Sequence, residues 1–533
     1  MLFILDYGAG NVASLSNSIK ALGYSFRWIE TPEDFDVATS LIFPGVGAFE
    51  SAILHLSRRG LLEPLRQYIL SGRPYFGICI GMQILFESSE EATSAGLGMI
   101  SCPIRRFRDD DKTVPHIGWN TADSFDESPA AYYYFVHSYC APYDPEKSPN
   151  AAEWAHTTTL YGQEIFISSV KKDNVFGTQF HPEKSGKSGL ALLNAWLGGK
   201  HVGQLPSPVH RRRNGRGLTK RIVACMDVRA NDQGDLVVTK GDQYDVREKV
   251  DPLATTSAGA VRNLGKPVAL AAKYYDAGAD ELCLLNITSF RHSPLQDQPM
   301  LAVVKAAAER LFIPLTIGGG IKDTVDPDGT PRSALEVASA YFRAGADKVS
   351  IGSEAVYAVE RWQDNNRICD GTSAIETIAH AYGRQAVVVS IDPRRKLLET
   401  EDKVDGNEVF PDDDGNLWWY QCTVSGGREA RPLSVVQLAR GAEALGAGEL
   451  LVNSIDRDGT GLGFDLELLS LVKRSVRIPV VASSGAGNAV HFVEAFQKTN
   501  VEAALAAGIF HREEVGIQEV KDALHNADIH VRD

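Results

Sequence analysis

A cysteine flanked by glycines, Gly77-Ile78-Cys79-Ile80-Gly81, follows the apolar run Tyr75-Phe76 and precedes Met82-Gln83. A strand, Gly-x-Cys-x-Gly and a helix make a nucleophile elbow with sulfur in place of oxygen. The glycines permit a sharp turn, and the N-terminus of the predicted helix favours thiolate. Such a nucleophile needs a base and a group that orients the base. Phe180-His181-Pro182-Glu183 carries both: His181 can take the thiol proton and protonate a leaving amine, while Glu183 holds the imidazole tautomer. The chemistry in prospect is acyl transfer through a thioester. His137 reads as structural, because His181 already has an acid beside it.

A second chemistry lies further along. Asp227 and Asp392 each follow an apolar strand, and two facing carboxylates can divide acid and base roles. Gly318-Gly319-Gly320 and Ser484-Gly485-Ala486-Gly487 expose backbone N–H groups at strand-to-helix turns, where they can cradle phosphate oxygens. Ser350-Ile351-Gly352-Ser353 and Ala506-Ala507-Gly508-Ile509 would complete those cradles from the next strands. Two cradles across one mouth imply a long substrate with a phosphate at each end.

The elements needed to hold these groups are readable. Residues 1–204 alternate short apolar strands with helical stretches, an open α/β pattern whose last third turns antiparallel. Residues 205–220, rich in Pro, Gly and Arg, read as a solvated linker. Residues 221–533 hold eight nearly continuous apolar strands, near 221, 281, 314, 348, 386, 449, 479 and 503, as the strands of a (β/α)8 barrel should be. Polar stretches near 323–332, 357–373 and 399–421 read as surface insertions. Matched residues half a barrel apart point to internal duplication: Asp227 with Asp392, 317–321 with 483–487, and 279–282 with 447–450.

The first pair of motifs, with Pro44-Gly45-Val46-Gly47, resembles the class I glutamine amidotransferases over essentially all of 1–200. That resemblance places Gly47 and Gln83 beside glutamine. It makes Cys79 the carrier of a glutamyl thioester whose oxyanion meets N–H groups near Gly47 and Ile80. Asp6-Tyr7-Gly8-Ala9-Gly10-Asn11, His116-Ile117-Gly118-Trp119-Asn120 and Tyr134-Phe135-Val136-His137-Ser138-Tyr139 resemble the histidine-biosynthesis branch. Residues 221–533 are similar to its cyclase, through Ala224-Cys225-Met226-Asp227, Val389-Ser390-Ile391-Asp392 and Ser454-Ile455-Asp456-Arg457-Asp458-Gly459-Thr460.

Together the halves resemble the fused imidazole glycerol phosphate synthases. The resemblance implies glutamine and a doubly phosphorylated formimino ribotide as substrates, with imidazole glycerol phosphate, AICAR and glutamate as products. It gives Lys240 to a mobile loop that contacts substrate, and Asp458, Gly459 and Thr460 to the barrel mouth. Arg221, Glu281, Lys348 and Glu449, each opening a strand, become the gate ring through which ammonia enters. Asn286 stands where bacterial cyclases carry Asp and receives no role.

Across 533 residues the net charge is −14, which argues against non-specific binding to nucleic acid or membrane surfaces. Seven cysteines without CxxC spacing indicate neither a zinc site nor a disulfide framework. No metal or organic cofactor is expected. The chain opens directly on a strand-like run, so the expected location is cytoplasmic, and an intramolecular domain interface makes a monomer the default. A glutaminase fused to a different ammonia-using barrel, or an inactive scaffold, are the alternatives.

Overall fold

The computed structural model describes residues 1–8, 10–45, 47–124, 131–199, 217–230, 236–240, 244–245, 265–286, 299–326 and 328–532. In the first half, nine strands set the frame: β1 (Leu2–Leu5), β2 (Arg27–Ile29), β3 (Ser40–Phe43), β4 (Tyr75–Ile78), β5 (His116–Ser124), β6 (Ala131–His137), β7 (Ala155–Tyr161), β8 (Glu164–Lys172) and β9 (Val175–Thr178). Their order is β2-β1-β3-β4-β9-β8-β7-β5-β6, within a 12-stranded sheet. Pairing is parallel from β2 to β9 and antiparallel beyond, matching the late antiparallel character expected. The central β1, β3, β4 and β9 are apolar on both faces, and each is buried along nearly its whole length.

The second half is a closed eight-stranded parallel barrel. Its strands are β10 (Arg221–Ala230), β11 (Glu281–Asn286), β12 (Leu315–Gly318), β13 (Lys348–Ile351), β14 (Val387–Ile391), β15 (Glu449–Asn453), β16 (Val480–Ser483) and β17 (Ala503–Ala506). They follow one another in chain order, and β17 pairs back onto β10 with Arg221 opposite Ala503. Strands β10 and β14 are therefore diametrically opposed. The side-chain period of two puts Arg221, Val223, Cys225 and Asp227 on one face of β10. Val223 and Cys225 pack with Cys283, Val388, Leu451, Val481, Ala503 and Leu505, so that face is the barrel interior. Arg221 and Asp227 thus stand at opposite ends of one inward row, roughly 20 Å apart along the strand at about 3.3 Å per residue.

Helix punctuation is explicit. Ser333, Ser373 and Ser434 each close a capping box with Glu336, Glu376 and Gln437. Two of the three expected insertions read differently in three dimensions. Residues 357–364 continue the helix Ser353–Asp364, because Ala355, Val356, Ala358 and Val359 form a buried stripe. The 399–421 stretch belongs to a four-stranded antiparallel sheet built after β14, where Trp418, Trp419 and Tyr420 are buried. Of the expected solvated linker, residues 205–216 lie outside the described residues. Thr219 is buried, and its N–H donates to the Trp119 carbonyl at 2.9 Å, so the linker's end is packed rather than solvated.

Candidate functional site

Strands β4 and β9 are parallel neighbours with Ile78 opposite Thr178, so the residues just beyond their C-terminal ends meet. Cys79 and His181 come from those two ends. The Cys79 N–H donates to the Thr178 carbonyl at 2.6 Å, and Cys79 takes φ 50°, ψ −103°. A non-glycine residue in this region stores backbone strain, the mark of an elbow. The turn is tight enough to demand its glycines. A Cβ on Gly77 would lie 2.2 Å from the Gly81 oxygen, and one on Gly45 would lie 1.8 Å from the Ile78 oxygen. Pro44-Gly45 therefore rests directly on the elbow backbone. Gly47 is buried next to it, while Val46 lies outside the described residues. The helix expected after Cys79 is a single turn, Ile80–Gln83, which offers little macrodipole to the sulfur.

The His181 Nδ1 lies 2.8 Å from Glu183 Oε1, and both side chains are buried. Burial alone would lower the imidazole pKa. The Glu183 carboxylate and hydrogen bonds to Cys79 and Glu183 override that and push it up to about 10. The proton accordingly sits on His181, pairing an imidazolium with the sulfur. His137 belongs elsewhere. Its Nδ1 lies 2.7 Å from the Tyr139 oxygen and its Nε2 3.1 Å from His116 Nδ1, in a buried cluster closed by Asn120. Burial, against the Tyr139 hydrogen bond, brings its pKa down to about 3, so it stays neutral.

Gln83 reaches two acceptors through Nε2: the Tyr139 carbonyl at 3.1 Å and Gln179 Oε1 at 2.9 Å. Beyond Tyr139 opens a cavity of about 500 Å³, lined by Glu91, Arg106, Ser138 and Tyr139 from the first half and by Gly383, Arg384 and Gln385 from the barrel. Burial lifts the Glu91 carboxyl to about 7 against a hydrogen bond from the Phe49 N–H. Sequence reasoning missed Glu91, Gln179 and Arg384. Gln179 directly precedes Phe180-His181-Pro182-Glu183, the one signal that could have found it; the others come together through the contact between the halves.

That contact centres on the barrel's N-terminal end. Lys184 pairs with Asp347 at 2.7 Å, and Asn11 donates to the same carboxylate at 2.8 Å. The Trp119 indole N–H donates to the Asp280 carbonyl at 3.0 Å, and a Cβ on Gly118 would lie 3.5 Å from Arg221 Cδ. Here Arg221, Glu281, Lys348 and Glu449 form a closed ring of alternating charge. Arg221 pairs with Glu281 (2.6 Å) and with Glu449; Lys348 pairs with Glu449 (2.5 Å) and Glu281 (2.7 Å). All four are buried, and Thr316 adds a hydrogen bond to Glu281 at 2.6 Å. Tyr134 joins the two regions. Its carbonyl accepts the His181 N–H at 2.9 Å, while burial and then the Glu281 charge hold its phenol protonated.

At the other end of the barrel, Asp227 and Asp392 stand on opposed strands and both feel the charge of Asp458. Burial first, then Asp458, pushes Asp227 up to about 7. Burial also raises Asp392, but Asn453 donates to its Oδ1 at 2.8 Å and opposes the shift. Asn453 was not singled out from sequence; it ends β15, beside β14. The loop carrying Asp458, Gly459 and Thr460 is exposed at this mouth. It is braced from the four-stranded sheet by Arg395 N–H on Asp456 (2.8 Å) and Tyr420 OH on Asp465 (2.8 Å).

The glycine clusters fall on neighbouring strand ends: Gly319 and Gly320 with Gly352 and Ser353, and Ser484, Gly485 and Gly487 with Gly508. Two of these positions have steric duties as well. A Cβ on Gly485 would lie 2.3 Å from the Gly463 oxygen, and one on Gly487 would lie 2.2 Å from the Gly461 oxygen. The Gly487 N–H already donates to His491 Nδ1 at 3.0 Å, and Ser353 Oγ accepts the Ser425 N–H at 2.9 Å. A phosphate calling on either group must compete with that contact. Lys240 has its backbone in a strand paired with β10, and its side chain lies outside the described residues. Among the described residues no three His, Cys, Asp or Glu side chains converge as a metal site requires.

The model for class I glutamine amidotransferases matches residues 3–196, and that for histidine biosynthesis proteins matches 221–516. A protein of Emericella nidulans named imidazole glycerol phosphate synthase hisHF is 52% identical, covering 99% of this chain and 98% of its own. Its namesake in Schizosaccharomyces pombe is 51% identical over 99% of both chains. An Arabidopsis thaliana relative, named as the chloroplastic form, is 50% identical over 99% of this chain and 89% of its own.

Proposed function

The chain belongs to the imidazole glycerol phosphate synthase family of histidine biosynthesis, a fusion of glutamine amidotransferase and cyclase, and we propose the division of its chemistry as follows. Glutamine occupies the cavity lined by Tyr139, whose carbonyl Gln83 holds, with its α-ammonium toward the half-buried Glu91 carboxyl. The Cys79 thiolate attacks the carboxamide carbon, and backbone N–H groups near Gly47 and Ile80 receive the oxyanion. His181 passes its proton to the departing ammonia, and water then releases glutamate from the thioester. Ammonia enters the barrel past Arg221, Glu281, Lys348 and Glu449. It adds to the ribulosyl carbonyl of a substrate held at both ends by the two glycine clusters, with Lys240, Asp458, Gly459 and Thr460 at the mouth. Asp227 and Asp392 move protons as AICAR leaves and the imidazole closes.

The observation that carries this reading is the arrangement along β10: Arg221 at the glutaminase contact and Asp227 at the mouth share one inward row. The working unit is a monomer, a reading supported by an interface between glutaminase and barrel made within one chain. Cys79→Ala should abolish glutamine-dependent formation of AICAR and spare ammonia-dependent formation. Loss of both in a folded chain would refute the division.

A further inference from the structure

The side chain of Gln179 lies between the nucleophile and Gln83 and has no part in the scheme above. Its Nε2 stands 3.4 Å from Cys79 Sγ, and its Oε1 accepts Gln83 Nε2 at 2.9 Å. All three side chains are buried. The sense of this chain is fixed by its far end. The Tyr139 carbonyl can only accept, so Gln83 presents NH₂ to it; the second hydrogen of that NH₂ meets an oxygen on Gln179, which turns the Gln179 NH₂ to the sulfur.

We propose that Gln179 is the hydrogen-bond donor to the Cys79 thiolate, locked in that orientation by Gln83. It rests on Cys79 being the nucleophile, as proposed above. The single-turn helix after Cys79 supplies little dipole, so a fixed donor in a water-poor site carries more of the anion's stabilisation. The donor acts twice. It favours thiolate beside imidazolium before attack. When water has added to the thioester and the carbon–sulfur bond breaks, the electron pair returns to sulfur, and the same N–H receives the charge. The titrating group facing the sulfur is His181, backed by Glu183. His137 and His116 stand beyond Gln83 and are buried and neutral.

The test uses the full chain. Gln179→Met removes the donor without adding charge; Gln179→Glu keeps an acceptor for Gln83 but sets a carboxylate oxygen against the sulfur. Alkylation of Cys79 by iodoacetamide is followed from pH 5 to 10, alongside glutamine- and ammonia-dependent turnover. Both variants should show the pH midpoint of alkylation moved up by about one unit or more, further for Gln179→Glu, and glutamine-dependent kcat reduced tenfold or more. Ammonia-dependent turnover at the parent level reports a folded chain. A Gln179→Met profile that superimposes on the parent's overturns the proposal. Should Gln179→Met not fold, Gln179→Asn, whose amide is shorter by one methylene, is read by the same rule. If alkylating Cys79 in the parent leaves glutamine-dependent turnover intact, the nucleophile assignment fails instead.

Discussion

Replacing Asp227 by Asn should make the barrel more stable and the cyclase inactive, with the gain growing with pH. Burial, reinforced by Asp458, raises the Asp227 carboxyl from its ordinary 3.8 to about 7. The folded chain therefore holds this proton more tightly than the unfolded one. Stability is fully present below pH 3.8, falls as pH rises, and reaches its full loss above about 7. At roughly 1.4 kcal/mol for each pH unit, that penalty is about 2 kcal/mol at pH 5 and about 4 kcal/mol at pH 8. Asp227 keeps part of its surface open to the mouth, so solvent screening makes both figures ceilings. Asn fills the same space without charge. Urea unfolding of parent and Asp227→Asn at pH 5 and pH 8, with ammonia-dependent turnover measured in parallel, reads both effects. A stability gap of equal size at the two pH values, or a less stable variant at pH 8, would refute the reasoning.

Glu183→Gln keeps the shape of the glutaminase triad but removes the charge that raises His181. Glutamine-dependent kcat should fall by about 10³–10⁴, by analogy with loss of the orienting acid in a serine triad, while ammonia-dependent turnover is retained. Asn453→Leu removes the hydrogen bond that restrains the Asp392 shift, so the pH midpoint of ammonia-dependent cyclisation that reports Asp392 should move upward; an unmoved profile sinks that assignment. Glu449→Gln leaves Arg221 and Lys348 sharing one carboxylate in a buried ring. The expected cost is about 3–5 kcal/mol in urea unfolding, with glutamate release outrunning AICAR formation.

The chemistry written locally in the chain was legible before the fold. Gly77-Ile78-Cys79-Ile80-Gly81 and His181-Pro182-Glu183 are contiguous motifs, and contiguity fixes geometry within a turn. The eight barrel strands were equally plain, because a strand buried on both faces must be apolar throughout. Asn453 was invisible for the opposite reason. An asparagine at a strand end looks like any loop residue until the neighbouring strand sets Asp392 beside it. Arg384 and Glu91 line one cavity only after two halves dock, and Gln179 reaches the sulfur from a position 100 residues away in the chain. The 399–421 stretch was legible in part: residues 399–417 lie largely at the surface, as their composition says, but its charged turns hide a run, Trp418-Trp419-Tyr420, whose rings pack inward.

The four-charge ring also constrains how this protein can change over generations. Two cations and two carboxylates, each shared by both of its opposites, form a miniature ionic lattice with no spare member. Any single replacement strands a dry charge at a cost comparable to much of a domain's net stability. Drift at one of these positions is therefore blocked unless a second changes in the same lineage, and the four should be inherited as one character.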